Sequence, residues 1–315
     1  MKKTLFALIA FAVAAVGCNK ADVISVDRQA ITFGNAFVDN ATKADYSSGK
    51  ALEQFKVWGT VTGNGNTLPL YGNDGATVTG QIGNDVWGCD KTEYWVPSCS
   101  YTFTAIADAT DVTNMPSKVG YSVSSEGDLL LATATAVTNT NGTPSDTFIN
   151  TNGVVEFTFT HLLSKVFFKF SYGVANNTRY AFDVKSISLS GLTAQGEYTI
   201  GSNNWAAVSS TPSTTSLSFA VPTTNVSNDA TPNSADSHQI LPLKQTITAT
   251  ITYDVIYGGM TILAGQTQSA TLNDFKFEGN TVYCLNIAIP APGKPIQFRA
   301  HSVGGFTEAP ITNLQ

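Results

Sequence analysis

The sequence predicts an all-β protein, and three observations predict it. Only 13% of the residues are charged while 43% are hydrophobic, against roughly a quarter charged in an average soluble domain. Thr, Ser, Asn and Gly make up the shortfall; they suit turn-rich sheets and leave a helix's exposed face without the Lys, Glu and Arg it wants. Past the N-terminus, no ten-residue window carries apolar side chains at helical spacing. The most apolar stretch of the mature chain, Val154–Tyr172, alternates instead. Its first half places Val155, Phe157 and Phe159 on odd positions, and its second half places Val166, Phe168, Phe170 and Tyr172 on even ones. A regular strand keeps its parity, so a break falls in His161-Leu162-Leu163-Ser164 as a bulge, kink or short helical turn. One sheet ends there and the next begins. For 315 residues two domains are the natural number, and the break divides the chain into 31–160 and 161–315.

The N-terminus reads as an address. Lys2 and Lys3 precede an apolar run from Leu5 to Val16, too short for the roughly 20 residues that span a bilayer and the right length for a signal-peptide core. Ala15-Val16-Gly17-Cys18 follows and resembles a bacterial lipobox. The expectation is a signal peptide over 1–17 and a diacylated Cys18 as mature N-terminus, held at a membrane by its acyl chains. The other reading is an ordinary secretory signal with a chance cysteine. Asn19 in place of Asp points to the outer membrane. The segment 18–30 is then a lipidated leader or propeptide. It contains Arg28, one of only three arginines with Arg179 and Arg299. A trypsin-like maturation protease could cut there; a solvated linker arginine is the alternative.

Through the first half, Phe55-Lys56-Val57-Trp58-Gly59-Thr60-Val61 alternates as a half-buried strand, and Gly63–Gly75 reads as a loop or hairpin connection. Trp87, Tyr94, Trp95 and Tyr101 gather with Asp85, Asp90 and Glu93. They form either a sandwich core or a platform on which sugar rings stack. Tyr101, Phe103, Ala105 and Ala107 mark another strand, and Asp128-Leu129-Leu130-Leu131-Ala132 begins the next. Cys89 and Cys99 flank Tyr94-Trp95-Val96-Pro97; in an exported protein this favours a disulfide across a hairpin, with two reduced thiols as the alternative. In the second half Phe182 and Val184 are even and Ile187 and Leu189 odd, which predicts a bulge near Lys185. Gln195–Tyr198 reads as a hairpin edge, and Gly201–Asp236 as loops around one strand at Leu217–Val221. Strands follow over Thr246–Tyr257, Asp274–Gly279 and Val282–Ile289, with Cys284 packed as a small hydrophobe. Ile296, Phe298 and Ala300 alternate in a last strand.

Several of these pieces together resemble the fimbrillin family of Bacteroidetes. They are Ala41-Thr42-Lys43-Ala44, the two aromatic segments around Trp87 and Trp95, Asp128–Ala132, the central stretch with His161 and Ser164-Lys165-Val166, Ile240-Leu241-Pro242, and Gly279–Tyr283. The last has one residue more before the tyrosine than the family's Gly-x-x-Tyr, and Phe306 stands where many members have tryptophan. The resemblance covers most of the chain and implies two tandem β-sandwich domains of transthyretin-like type. It also implies cleavage after an arginine in the position of Arg28, and assembly by strand exchange. Ile296, Phe298 and Ala300 would then be donor-strand residues entering a partner subunit.

Nothing in the sequence carries enzyme chemistry. His161, His238 and His301 have no carboxylate or cysteine at metal-ligand spacing, and no nucleophile elbow, phosphate loop or Walker lysine is present. No metal and no cofactor are expected. His161 is read as a packed, hydrogen-bonded residue at the junction. The formal charge of −6, two units more negative without Lys2 and Lys3, excludes nucleic acid as a partner, which needs clustered basic charge. Two function classes remain: a stalk or tip subunit of a surface fimbria whose partners are other subunits or copies of itself, and a monomeric outer-membrane lipoprotein that binds a host ligand or glycan.

Overall fold

The computed structural model describes residues 29–38, 52–81, 86–107, 117–123, 127–173, 179–227, 230–290, 292 and 294–305, all of them in strands, turns or irregular backbone without a helix. The signal segment, Cys18, Arg28 and Ala41–Ala44 lie outside these residues.

The first half contributes β1 (Thr32–Val38), β2 (Gln54–Gly63), β3 (Asn66–Leu70), β4 (Ala76–Thr79), β5 (Gly88–Cys89), β6 (Ser100–Ala107), β7 (Lys118–Ser122), β8 (Leu130–Thr138), β9 (Pro144–Ser145) and β10 (Val154–His161). Nine of these form one sheet along the path β1-β10-β8-β6-β2-β4-β5, with β3 on β2 and β9 on β8. The sheet rolls over until its ends meet: β1 pairs in parallel with β10, and on its other side Phe33 accepts a backbone hydrogen bond from Trp87 N at 2.8 Å. Inside the roll, Phe33 stacks on Phe157 at 5.8 Å and meets Phe55 and Phe103 edge-on. Asn64 and Gly65, both at positive φ, turn the β2–β3 hairpin, the conformation a two-residue hairpin loop requires.

The second half contributes β11 (Ser164–Tyr172), β12 (Tyr180–Thr193), β13 (Gln195–Thr199), β14 (Asn204–Ala207), β15 (Thr214–Phe219), β16 (Val226–Ser227), β17 (His238–Ile240), β18 (Lys244–Tyr257), β19 (Met260–Lys276), β20 (Thr281–Ile289) and β21 (Gln297–Gly305). Two sheets, β17-β11-β20-β21 and β15-β12-β18-β19, face each other across a second core. Phe168 and Phe170 of β11 and Leu285 and Ile287 of β20 meet Phe182, Ile187, Ile251 and Tyr253 there. The ladder of β12 on β18 shifts register between Val184 and Ser186, the bulge expected at Lys185.

The break in the central stretch lies where the parity changes. β10 ends at His161 in one sheet, β11 starts at Ser164 in another, and only Leu162 and Leu163 intervene. Both leucines are buried, in a third cluster with Trp58, Leu129, Tyr198, Trp205 and Leu241. Their backbone reaches to both sides: Leu162 N donates to Leu129 O, and Leu163 O accepts from Asn280 N, each at 2.9 Å. A strand also crosses the junction, since β7 pairs with β13 in the small sheet β14-β13-β7. The two aromatic segments, by contrast, make only the two-residue β5 and isolated bridges at Trp87 and Tyr94.

Candidate functional site

The candidate assembly site is the C-terminal edge of the second half. β21 is the last strand of its sheet and pairs antiparallel with β20, with Leu285 opposite Ala300 and Ile287 opposite Phe298. Alternation does what the sequence asks: Ile296 is buried, Phe298 and Ala300 are half-buried against the core, and Gln297, Arg299 and His301 are exposed. The Phe298 ring lies 6.4 Å from that of Phe168. The root of the strand is held from the neighbouring sheet. Gln268 of β19 accepts from Ile296 N at 2.8 Å through Oε1, and donates through Nε2 to Lys294 O and to Tyr253 Oη, each at 3.0 Å. Nothing in the spacing of the sequence singled out Gln268, because it lies 26 and 28 residues from its partners.

At the other end, the chain enters the described region beside the first core. Gln29 O accepts from Trp95 N at 3.1 Å, and Ile31 N donates to Glu93 O at 2.8 Å. Ile31 and Phe33 are buried.

The junction unites two pieces of the sequence pattern. His161 Nδ1 lies 2.5 Å from Asp128 Oδ2, with both side chains buried, and Asp128 Oδ1 accepts from Leu129 N at 2.8 Å. Tyr121 donates to Gly127 O, and its hydroxyl is pushed above the ordinary tyrosine value by burial first and then by the Asp128 charge. Gly279 packs against the connection: a Cβ there would sit 3.0 Å from Leu162 O. Trp205 Nε1 donates to the same carbonyl at 2.9 Å. A cleft of about 920 Å³ opens beside them, lined by Thr133, Phe148, Thr160, Asn204 and Trp205 among others.

One expectation is corrected. Cys89 and Cys99 are free thiols. Cys89 lies opposite Val78, which lies opposite Phe55, whereas Ser100 lies opposite Thr62. Cys99, one residue before Ser100, lies beside Gly63, so the cysteines are set apart by eight steps along β2, roughly 26 Å, where a disulfide needs Cα atoms within about 7 Å. Burial raises the Cys89 thiol above its ordinary value, and the buried Cys284 thiol is pushed up to about 11 by the same cause. Of the two readings of the aromatics the structure takes the core: Trp87, Trp95 and Tyr101 are buried in the first core, and of the four rings only Tyr94 is exposed. Among the described residues no three His, Cys, Asp or Glu side chains lie together as metal ligands, and no helix is long and apolar enough to cross a membrane.

A family model described as fimbrillin-like matches residues 42–302. A candidate cell adhesion protein from Bacteroides uniformis ATCC 8492 superposes with a TM-score of 0.53 at 16% identity, covering 88% of this chain and 98% of that one. A fimbrial protein from Bacteroides vulgatus ATCC 8482 gives 0.53 at 16%, covering 88% and 99%. A candidate cell adhesion protein from Bacteroides ovatus ATCC 8483 gives 0.54 at 13%, covering 87% and 98%. At these identities the likeness is one of fold. No curated protein matches the chain.

Proposed function

The chain belongs to the fimbrillin-like family, and from that premise we propose that it is a structural subunit, stalk or tip, of a cell-surface fimbria that contributes to adhesion. The observation that carries the reading is the family match, which runs through both cores and the junction to residue 302. The subunit is exported with a lipid on Cys18, anchored in the outer membrane, and matured by a cut after Arg28. It joins other subunits by passing its C-terminal strand to a partner. Two features support strand passing. Among the described residues β21 is an edge strand, held on one side only by β20. Its inward residues Phe298 and Ala300 are half-buried, so they are less firmly seated than the core. A donated strand satisfies unpaired backbone groups at the acceptor while alternate side chains fill its pockets.

The test is to treat purified precursor with a trypsin-like protease and follow mass by light scattering. Growth that is abolished by Arg28→Ala and by deletion of 295–315 supports the reading; efficient cleavage at Arg28 that leaves a monomer, with or without partner subunits, refutes it. A second reading, a glycan-binding surface lipoprotein, draws on the junction cleft beside Trp205. Saturable quenching of tryptophan fluorescence by a saccharide, in unpolymerised protein, would favour it.

A further inference from the structure

We propose that Gln268 is a clasp that fixes where the C-terminal strand comes free. Gln297 onward crosses to the partner subunit, and Ile296 stays behind. The inference rests on the strand-passing reading above and names the residues that cross.

In an antiparallel ladder the carbonyl of residue i and the N–H of residue i+2 point to the same side and bond to the neighbouring strand. Here those groups are Lys294 O and Ile296 N, and both are met by one carboxamide. A glutamine can do this because its oxygen accepts while its nitrogen donates twice. The second donor goes to Tyr253 Oη, on a side chain that is itself buried in the second core. The clasp is therefore mounted on the core and both of its donors are used. Pro295, between the two bonded residues, faces the other way and has no N–H to give there, and the ladder with β20 begins only at Gln297.

Burial falls off on the far side of the clasp. Ile296 is 6% exposed, whereas Phe298 and Ala300 are half-buried and, among the described residues, nothing pairs with the outer edge of β21. Release that begins at Gln297 leaves Ile296 in its pocket and the root on the core. Release that began at Pro290 would free seven more residues and lengthen the reach of the strand by about 23 Å. Gln268 thereby sets the register in which Phe298 and Ala300 arrive at an acceptor, where a one-residue slip would turn every side chain to the wrong face.

The measurement is amide hydrogen exchange over 294–305, first on the uncleaved full chain. Gln268→Met keeps the length of the side chain and removes all three bonds. It is expected to speed exchange at Ile296 by about tenfold or more, while the amides of Phe298 to Ser302 change less. Gln268→Glu keeps the acceptor and loses the donors, and should fall between. Unchanged exchange at Ile296, or an equal rise throughout β21, overturns the clasp. The second arm is wild-type protein after protease treatment. Ile296 that remains protected in the assembled material supports the boundary, and Ile296 that loses protection on assembly overturns it while leaving strand passing intact. If no assembly forms, strand passing falls and the crossing with it, whereas the exchange data on the uncleaved chain still decide whether Gln268 holds the root.

Discussion

Asp128 and His161 stand 33 positions apart and meet with both side chains withdrawn from water, one on the approach to β8 and the other at the end of β10. A buried pair of this kind is costly to halve, because the remaining partner keeps its desolvation and loses its bond. Asp128→Asn and His161→Ala are each expected to cost about 3 kcal/mol in denaturant unfolding, and the double variant less than their sum. Strictly additive costs would show that the contact is not a working pair. Gly279 is exposed to a different constraint. Its Cβ would press on the Leu162 carbonyl, which already accepts from Trp205, so Gly279→Ala should lower the midpoint of unfolding by an amount equivalent to about 1–2 kcal/mol. A neutral effect would mean that the connection yields. Both sites are legible in the sequence as pieces of a pattern, and neither pairing is. A pairing across 33 or 117 residues leaves no periodicity to read. Gln268 was wholly illegible for the same reason, being one polar residue in a polar strand.

Among elements, those with one buried face could be read and those with none could not. The parity change in Val154–Tyr172 placed the end of β10 and the start of β11 within the four residues His161 to Ser164, and the switch from Val184 to Ile187 located a bulge. β19 went unassigned from Met260 to Asn273. Its residues are exposed or half-exposed throughout, so no apolar alternation marks it. It is held instead by its ladder to β18 and by hydroxyl pairs across it, Thr248 with Thr271, Thr250 with Ser269 and Thr252 with Thr267. The disulfide expectation failed because ten positions of sequence imply nothing about which ends of a sheet the two cysteines occupy. The same contrast of burial ranks the strands of the second half. Phe168 is fully buried against Phe170 and Phe219, and Phe168→Ala should cost about 3–5 kcal/mol. Phe298→Ala, on the edge strand, should cost less, since part of its area is already in water. Equal costs in thermal or denaturant unfolding would mean that β21 is as firmly built in as β11, and the case for its release would weaken.

At the scale of the whole molecule, two large cores and the junction cluster are tied by the β7–β13 pairing and by Leu162 and Leu163, and each of the three holds buried tyrosines. Tyr71 and Tyr101 lie in the first core, Tyr198 with the half-buried Tyr121 at the junction, and Tyr253 and Tyr283 in the second. Burial raises the hydroxyl of every one above the ordinary value of 10.0. At Tyr71 the neighbouring Cys89 and Glu93 add to it, and at Tyr121 the Asp128 carboxylate does. A raised acid favours the protonated form in the folded state, so the stability these tyrosines contribute is fully present below pH 10 and is lost as pH rises beyond it, when the unfolded chain ionises and the folded one does not. The load falls on all three clusters together. Above pH 10 the denaturant midpoint should therefore drop steadily, and the phenolate absorbance of these six residues should appear only with the loss of the β-sheet circular dichroism. Because the junction couples the halves, the two signals should coincide in a single transition. Buried tyrosines that titrate one after another beneath an unchanged β-sheet spectrum would show that solvent reaches them in the folded state. Two separate transitions would show that the junction does not bind the halves into one cooperative unit.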